Sequence, residues 1–378
     1  MGKAERGRTW LRKLDRWIGV PALMFLSIFR QKRQKPEQFQ RVGICVFAAI
    51  GDALLASSLI ADLKKAFPNS KITVFATPAN AIAFDLIEGF DQLVLVPITN
   101  PLGAIQTLRA HPVDILIDTS QWSRIGALVS ALSGAPWTVG FETAGQNRHY
   151  VYDFSVKHSP NLHELSNFGA LLAPLGIQGR SLPPIDLSRL ASADCLKMRQ
   201  PFVVLHPWAS GHQFELREWP LSSWVALGQK LLQAGYGLVI TGGPGDGARA
   251  KVLCEQIDKD GASGKILNLA GASTLIETAN YLKSAAAVVS VNTGTMHLAA
   301  LLGVPLVALH GPTNPMRWGP IYPNEAESQS VILGPGPHEG GAYLNLGFEY
   351  PSNPSYLMDQ ISVNDVLDAL RKFSINTN

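Results

Sequence analysis

A regular alternation of short apolar strands with amphipathic helices begins at residue 41 and constrains the fold more than any other feature of the sequence. The β-rich run 41–47 is followed by a helix that opens at Asp52 and carries leucines at helical spacing. Further strands are predicted at 71–76, 93–96, 114–120 and 137–141, with helical patterns between them. Strands this apolar, joined by helices, are typical of a parallel sheet covered on both faces, which predicts an α/β protein.

A second series of the same kind follows a break in the pattern. The alternation weakens between residues 142 and 200, where the Pro-rich segment 181–187 is typical of an interdomain linker. Strands are then predicted at 202–207, 237–243, 265–271, 287–294 and 305–311. We therefore predict two doubly wound, Rossmann-like domains, at 41–185 and 186–335, with ligands in a central cleft at the carboxyl ends of the strands. An arm at 1–40 precedes them, and an irregular tail with a final helix follows at 336–378.

The arm differs from the rest of the chain in charge. Residues 1–40 contain ten Lys or Arg and three Asp or Glu, whereas the remaining 338 residues carry 22 basic and 26 acidic side chains. Because the basic excess is confined to one terminal arm, we expect no nucleic acid among the partners of the body.

Within the arm, the apolar run 17–29 has basic residues on both sides. Its 13 residues would cover about 20 Å as a helix, less than the hydrocarbon core of about 30 Å. We predict an interfacial helix that holds Trp10 and Trp17 at headgroup depth and places basic side chains on anionic lipid. The alternative is a helix packed on the protein's own surface.

Several classes of site lack support in the sequence. The three cysteines (Cys45, Cys195 and Cys254) lie far apart, which argues against a disulfide framework or a cysteine zinc site and fits a reducing cytoplasm. Neither GxGxxG nor GxxxxGK[ST] follows a strand, so dinucleotide redox chemistry and a P-loop lose support. The Asp-Lys-Asp sequence at 258–260 is interpreted as a charged surface turn, and no metal ion or cofactor is expected.

The strongest candidate for a phosphate site is the segment 291–303, where a strand gives way to a helix. Amide N–H groups at a helix N-terminus, with its partial positive charge, suit a pyrophosphate. Asn292 and Thr293 are cap-type residues, Gly294 allows close approach of the backbone, and Thr295 and His297 lie in the first turn. We expect all five to contact the phosphates, although His297 alone is more often a packing residue.

Two loops of the second domain are candidates for the opposite wall of this site. In the loop 206–220, Ser210 and Arg217 are predicted to contact phosphate, with the nearby polar residues His212 and Gln213. In the Gly-rich turn 241–247, Gly242 and Gly243 would let the backbone approach the ligand. The alternatives are that Arg217 braces the next helix and that 241–247 is a plain turn.

In the first domain, Asp52 is the main candidate for a functional side chain. It stands at the helix N-cap, just after Gly51, and is predicted to face the cleft; capping alone is the alternative.

These motifs, in their order along the chain, resemble the glycosyltransferase family 9 heptosyltransferases of lipopolysaccharide synthesis. The resemblance covers residues 41 to about 320 and comprises six segments: the GD turn at 50–52, the HP…R-x-WP loop at 206–220, TGGP at 241–244, NLAG-x-(S/T)-L at 268–275, the (D)-(T/S)-G-x-x-H helix start at 292–297 and GPTNP-x-RWGP at 311–320. It implies a GT-B fold, an ADP-activated sugar donor and inversion at the anomeric carbon. Two departures are Phe47-Ala48-Ala49, where the family usually has an Arg and a Ser, and Asn292 in place of an acidic residue.

The resemblance implies an inverting transferase that moves heptose from ADP-heptose onto a lipopolysaccharide core or a related lipid-linked saccharide. We expect it in the cytoplasm, attached to the anionic inner face of the inner membrane. Asp52 would take the acceptor proton, and the donor diphosphate would be held without a metal. Arg124 and Arg148 are weaker candidates for contacts with anionic groups of the acceptor, since each could equally be a surface charge. The alternatives are a GT-B-fold nucleotide-sugar epimerase or hydrolase, and a non-catalytic sugar- or lipid-binding relative.

Overall fold

The fold is described from a computed structural model of the chain. The structure describes residues 9–192, 196–198, 201–211, 213–259, 264–324, 329–334 and 356–376. The side chains of 9–12, 356 and 357 are not described. Contacts divide the chain into two compact units, of which one is Arg8–Asp186 and the other includes Leu187–Asn378. The boundary falls at the Pro-rich segment that the sequence indicates as a linker.

The first unit is built on a six-stranded parallel sheet. Its strands are β1 (Arg41–Val46), β2 (Lys71–Ala76), β3 (Gln92–Leu95), β4 (Ile115–Asp118), β5 (Trp137–Glu142) and β6 (Phe154–Lys157). They lie in the order β3-β2-β1-β4-β5-β6, and every neighbouring pair is parallel. The central strands are buried on both faces, as their continuous apolar runs require.

Seven α-helices belong to this unit. They are α1 (Thr9–Trp17), α2 (Gly19–Phe29), α3 (Ile50–Ala56), α4 (Ser58–Ala66), α5 (Pro101–Ala110), α6 (Arg124–Ala131) and α7 (Glu164–Ala170). The predicted helix after β1 is divided at Ser57, which lies between α3 and α4. The helix predicted around 79–88 is instead the 3₁₀-helix Ala81–Leu86, which ends where Ile87 turns to extended backbone.

The second unit repeats the same topology. Its strands are β7 (Phe202–His206), β8 (Gly237–Ile240), β9 (Ile266–Asn268), β10 (Ala287–Val291), β11 (Leu306–Leu309) and β12 (Ser330–Leu333). The sheet order β12-β11-β10-β7-β8-β9 equals that of the first sheet when its strands are counted from β7. Both sheets thus have the order 3-2-1-4-5-6 of doubly wound nucleotide-binding folds, with a switch point beside the first strand.

The helices of the second unit cover the two faces of its sheet. They are α8 (Leu221–Gln233), α9 (Gly247–Ile257), α10 (Leu275–Ser284), α11 (Gly294–Leu301), α12 (Pro315–Trp318), α13 (Tyr356–Asp359) and α14 (Val363–Arg371). Helix α14 is the predicted final helix, and it packs on α8 and on the strands β11 and β12. Most of the tail that was predicted to be irregular, 335–355, lies outside the described residues.

Residues 9–33 of the arm pack on the first unit. Helix α2 lies on α6 and on the 3₁₀-helix Arg148–Val151. Leu23 is fully buried there, in a cluster with Ala127, Ala131, Val151 and Tyr152. The alternative of a surface-packed helix is therefore correct for one side of α2. Among the described residues, no helix has the length and apolar character needed to cross a membrane.

Candidate functional site

The start of helix α11 in the second unit has the features of an anion site. Strand β10 ends at Val291, and Thr293 takes the N-cap position in extended conformation with no cap bond from its side chain. The Thr293 Oγ1 atom is buried and has no hydrogen-bond partner within the described part of the chain. A buried hydroxyl without a partner is costly, and the first N–H groups of a helix lack intrahelical partners. Both would be satisfied by an anionic ligand at Thr293, Gly294 and Thr295.

Asn292 ties two strand ends together beside this helix start. Its Nδ2 donates to Thr313 Oγ1 at 3.0 Å and lies 3.1 Å from His310 Nδ1. His310 directly follows β11, and the Thr313 hydroxyl also lies 3.1 Å from its Nδ1. Asn292 was predicted to contact phosphate, but its side-chain nitrogen is engaged inside the protein. It joins the end of β10 to the loop that follows β11.

His297 lies in the first turn of α11 and is buried. Its backbone N–H bonds to the carbonyl of Thr293 at 3.4 Å, which closes that turn. Arg317, which sequence reasoning did not single out, is fully buried with its guanidinium 5.1 Å from the centre of the Trp318 ring. The available signal was the GPTNP-x-RWGP segment, which was used only to establish the resemblance.

The loop after β7 brings Ser210 and Arg217 together. The Arg217 guanidinium donates to the Ser210 backbone carbonyl, so the arginine closes its own loop. His212 lies outside the described residues. At the start of the loop, His206 is buried with its Nδ1 2.9 Å from Thr241 Oγ1. Burial lowers the pKa of His206 from its ordinary 6.5 to about 4, so the imidazole is neutral at neutral pH.

The Gly-rich turn after β8 is explained largely by packing. The Gly243 N–H donates to Asp246 Oδ2 at 2.8 Å, so that amide is used within the turn. A Cβ at Gly242 would come within 2.9 Å of the Trp208 ring and 3.1 Å of Ala270. Glycine is therefore required at 242 by a close approach inside the protein. These contacts favour the plain-turn interpretation over a phosphate contact.

In the first unit, Asp52 is held by hydrogen bonds on both carboxylate oxygens. It lies at the third position of α3, not at the N-cap, which is Ala49. Its Oδ2 accepts from the Ala49 N–H at 3.0 Å, and its Oδ1 accepts from Gln121 Nε2 at 3.2 Å. The carboxylate caps the helix from inside and is oriented by a second residue, Gln121, which sequence reasoning missed because it lies 69 positions away.

The structure places both candidate acceptor arginines in ion pairs within the first unit. Arg148 is fully buried, and its NH2 donates to Asp118 Oδ2 at 2.9 Å. The Tyr152 hydroxyl donates to the same oxygen at 2.6 Å. A buried carboxylate needs such partners, so Arg148 is a core ion-pair residue.

Arg124 is buried against the arm. Its NH1 lies 3.2 Å from Asp15 Oδ2, and the backbone N–H groups of Arg124 and Ile125 donate to Asp15 Oδ1 at 3.0 and 2.9 Å. The alternative was that each arginine is a surface charge, but both arginines are buried. No group of three or more His, Cys, Asp or Glu side chains in the described ranges is placed to hold a metal ion.

The chain is similar to known proteins over most of its length. Residues 102–339 match the family described as glycosyltransferase family 9 (heptosyltransferase). The chain is 26% identical over 302 residues to lipopolysaccharide heptosyltransferase 3 of Escherichia coli K12, covering 72% of this chain and 83% of that protein. It is 29% identical over 290 residues to lipopolysaccharide heptosyltransferase 2 of Salmonella typhimurium LT2, covering 70% and 81%.

Solved structures share the architecture of both units. The structure of E. coli ADP-heptose lipopolysaccharide heptosyltransferase II matches with a TM-score of 0.69 at 19% identity, covering 88% of this chain and 98% of that one. E. coli heptosyltransferase WaaC with ADP matches with a TM-score of 0.67 at 20% identity, covering 88% and 99%. The fold is therefore the predicted GT-B fold. Because the family match spans more than half of the sequence, the chain belongs to glycosyltransferase family 9, the heptosyltransferase family, and is a glycosyltransferase.

Proposed function

We propose that this enzyme transfers heptose from ADP-heptose to a sugar of the lipopolysaccharide core, with inversion at the anomeric carbon. The family match carries this proposal, since the similar proteins are named as lipopolysaccharide heptosyltransferases. The buried hydroxyl of Thr293 at the start of α11 supports a diphosphate-bearing donor, because it lacks a partner among the described residues. The same match favours transfer over the epimerase, hydrolase and non-catalytic alternatives.

The second unit holds the leaving group in this proposal. As the bond between the anomeric carbon and the diphosphate breaks, negative charge grows on the phosphate oxygens. Backbone N–H groups at 293–295 and the Thr293 hydroxyl supply fixed donors to that charge, and Arg217 adds a cation from the loop after β7. Asn292 keeps the helix start in place through His310 and Thr313. We propose that these donors suffice and that no metal ion or cofactor is required.

Asp52 is the proposed general base. The acceptor hydroxyl oxygen forms the new bond to the anomeric carbon on the face opposite the diphosphate, and its proton passes to the Asp52 carboxylate. A carboxylate is a weak base at pH 7, but proton transfer late in an oxocarbenium-like transition state needs only modest basicity. The bonds from Ala49 and Gln121 fix the orientation of the carboxylate, which favours this role over capping alone.

The acceptor is proposed to be lipid-linked and to be met at the anionic, cytoplasmic face of the inner membrane. Support comes from α1 and α2, where Trp17, Phe25 and Ile28 are among seven large apolar side chains that remain exposed. The exposed basic residues Lys13 and Arg16 of α1, with Lys32 just after α2, complement anionic headgroups. Trp10, also predicted at headgroup depth, has a side chain outside the described residues.

Release of ADP from ADP-heptose in the presence of purified core acceptors tests the proposed reaction. We expect ADP and a heptosylated acceptor to form in equal amounts, with little ADP formed without acceptor. Equal ADP release with and without acceptor would identify a hydrolase. An altered sugar still attached to ADP would identify an epimerase, and binding without turnover would identify a non-catalytic relative.

A further inference from the structure

Helices α1 and α2 present two opposite faces, and the inner one is built for docking on the first unit. Residues that point toward the body recur at helical spacing: Asp15, Gly19, Leu23, Leu26 and Arg30. Leu23 is fully buried. At Gly19 the helix approaches so closely that an added Cβ would lie 2.8 Å from Arg124 Cβ. We call these five residues the inner face.

Two carboxylates fasten this face at its two ends. At the first end, Asp15 accepts from the first two backbone N–H groups of α6 and pairs with the Arg124 guanidinium. At the other end, Asp153 has no exposed side-chain surface and pairs with both Arg30 and Arg33, at 3.1 and 2.7 Å. Since a buried carboxylate that loses its cations is strongly unfavourable, the second contact holds the end of α2 in place.

The electrostatics of Asp153 agree with a permanent contact. Burial by itself would raise the pKa of Asp153, but hydrogen bonds from Arg33 and the charge of Arg30 outweigh burial and hold that pKa below its ordinary value. Thr138 adds a hydrogen bond from its backbone N–H at 2.8 Å. The carboxylate is therefore ionised, and the contact intact, throughout the neutral range.

The opposite side of the two helices, which we call the outer face, is apolar and exposed. It consists of Leu14, Trp17, Ile18, Met24, Phe25, Ile28 and Phe29. Trp17, Phe25 and Phe29 are 77%, 65% and 71% exposed, and Ile28 is 75% exposed. At roughly 150–250 Å² per aromatic side chain, Trp17, Phe25 and Phe29 alone leave roughly 300–500 Å² uncovered, as much as the largest patch of a typical monomer.

An anionic bilayer fits this outer face better than a protein partner does. The exposed cations Lys13 and Arg16 lie in α1 and Lys32 lies just after α2, whereas Asp15 and Asp153 point inward and are paired. Apolar insertion with a cationic border is the pattern of an interfacial helix. The docked inner face also keeps α2 alongside the body, where it cannot turn to cross a bilayer.

We propose that α1 and α2 form a rigid foot, which inserts its outer face into an anionic bilayer and, through Asp15 and Asp153, fixes the orientation of the first unit on the membrane. The proposal rests on the proposed transfer to a lipid-linked acceptor and adds a distinct function for the two carboxylates. They are positioning residues: they act through the arm and touch no substrate. A flexible tether would bind the membrane equally well but would leave the orientation unset.

The outer face is tested with Phe25→Glu/Ile28→Glu in the full-length chain, and Leu102→Glu, at an exposed leucine of α5, serves as the matched control. Sedimentation with vesicles of mixed neutral and anionic phospholipid should fall at least about tenfold for the double variant, since each buried CH₂ contributes about 0.8 kcal/mol. The control should sediment as wild type does. Unchanged sedimentation of the double variant, or a wild-type dimer that it converts to a monomer, would overturn the assignment of the outer face to lipid.

The docking contacts are tested with Asp15→Asn/Asp153→Asn, which removes no cation from the arm. Vesicle binding should remain, while kcat/KM on a vesicle-embedded acceptor falls roughly tenfold or more, because misplacement of a reacting group by about 1 Å can cost 10²-fold. Activity on a short, water-soluble acceptor should stay within about twofold, since the reacting groups themselves are unchanged. Equal activity of variant and wild type on both acceptors would show that the arm acts as a flexible tether, and it would overturn the proposal of a rigid foot.

Folding of each variant is checked by its circular dichroism melt. If Asp15→Asn/Asp153→Asn unfolds, Asp15→Asn alone is used, because that carboxylate is partly exposed. The same fall in kcat/KM on the vesicle-embedded acceptor is expected for it. If the wild type transfers no sugar at all, the proposed function fails. The vesicle sedimentation and the quenching of Trp17 by brominated lipid, relative to Trp17→Phe, then still decide whether the outer face meets lipid.

Discussion

At the scale of single residues, Asp52 combines a structural contact with a proposed chemical one, and two substitutions separate them. In Asp52→Asn the amide oxygen can still accept from Ala49, so the cap is kept while the base is lost. We expect transfer to fall about 10²–10⁴-fold with ADP affinity unchanged, because the nucleotide is held by the other unit. Asp52→Ala should lose activity equally and also about 1 kcal/mol of stability with the cap. Transfer by Asp52→Asn at close to the wild-type rate would leave capping as its only role.

Thr293 and Arg217 are expected to hold the diphosphate. A hydrogen bond to a charged group contributes about 1.5–3 kcal/mol, so Thr293→Val and Arg217→Ala should each raise the Kd for ADP roughly 10–150-fold. Isothermal titration calorimetry measures this directly. Gly243→Ala is the informative control, because the Gly243 amide is already bonded to Asp246, and its Kd should change little. A normal Kd in the Thr293 variant would place the phosphates elsewhere.

His206 predicts a pH dependence of stability. Its pKa is about 4 in the folded protein and near 6.5 in the unfolded chain. Above pH 6.5 neither state binds the proton, so this residue contributes no slope. As the pH falls from 6.5 to 4, only the unfolded chain binds it, and the free energy of unfolding should drop by about 3 kcal/mol. Urea unfolding at several pH values measures the slope, and His206→Asn should reduce it; equal slopes in the two proteins would contradict this assignment.

At the scale of elements, the sequence predicted ten of the strands because those strands are continuous apolar runs. It missed β6 and β12, which are four-residue edge strands. Their residues are exposed or half-buried throughout, so these two strands lack the fully buried runs of the central strands. The 3₁₀-helix Ala81–Leu86 was predicted as a helix of the wrong type, because its six residues are too few to distinguish a period of 3.0 from one of 3.6.

The site was predictable where a strand meets a helix and not where distant segments meet. Thr293 and Gly294 follow from strand β10 and the cap-type residues after it. The partners of Arg124 and Arg148 could not be inferred, since they lie 109 and 30 positions away. The sequence shows that an arginine is present, but only the fold shows whether a buried carboxylate lies close enough to pair with it.

Arg148 connects elements and should therefore act on stability. Its bond to Asp118 joins the 3₁₀-helix Arg148–Val151 to the end of β4. Arg148→Gln should lower the free energy of unfolding by about 3–5 kcal/mol, because Asp118 keeps a buried charge without its cation. The KM of the folded enzyme for its acceptor should stay near that of wild type. A raised KM with unchanged stability would return Arg148 to the acceptor site.

At the scale of the whole molecule, the chain is a topology used twice, with residues 9–33 added to the first copy. Both sheets have the same strand order. In the first copy α3 follows the first strand, and in the second copy α11 follows the fourth strand; each helix has polar groups at its start. The first copy carries the proposed base and the second the proposed leaving-group site. The arm is an addition that only the first copy bears, and its inner face has become part of that copy's core.

Two leucine-sized residues on the same helix distinguish a packed arm from a dispensable one. Leu23 is fully buried on the inner face, whereas Ile28 on the outer face is 75% exposed. Leu23→Ala should lower the free energy of unfolding by about 2–4 kcal/mol, or the Tm by roughly 4–16 °C for a unit of this size. Ile28→Ala should leave the Tm within about 2 °C, since exposed positions rarely change stability by more than about 0.5 kcal/mol, but it should weaken vesicle binding.

Deletion of residues 1–33 should then destabilise the first unit, because it uncovers the pocket of Leu23 and leaves Asp153 without Arg30 and Arg33. Thermal melts of the three proteins decide the matter: a deletion variant that melts with wild type would mean that the arm is held only by the membrane.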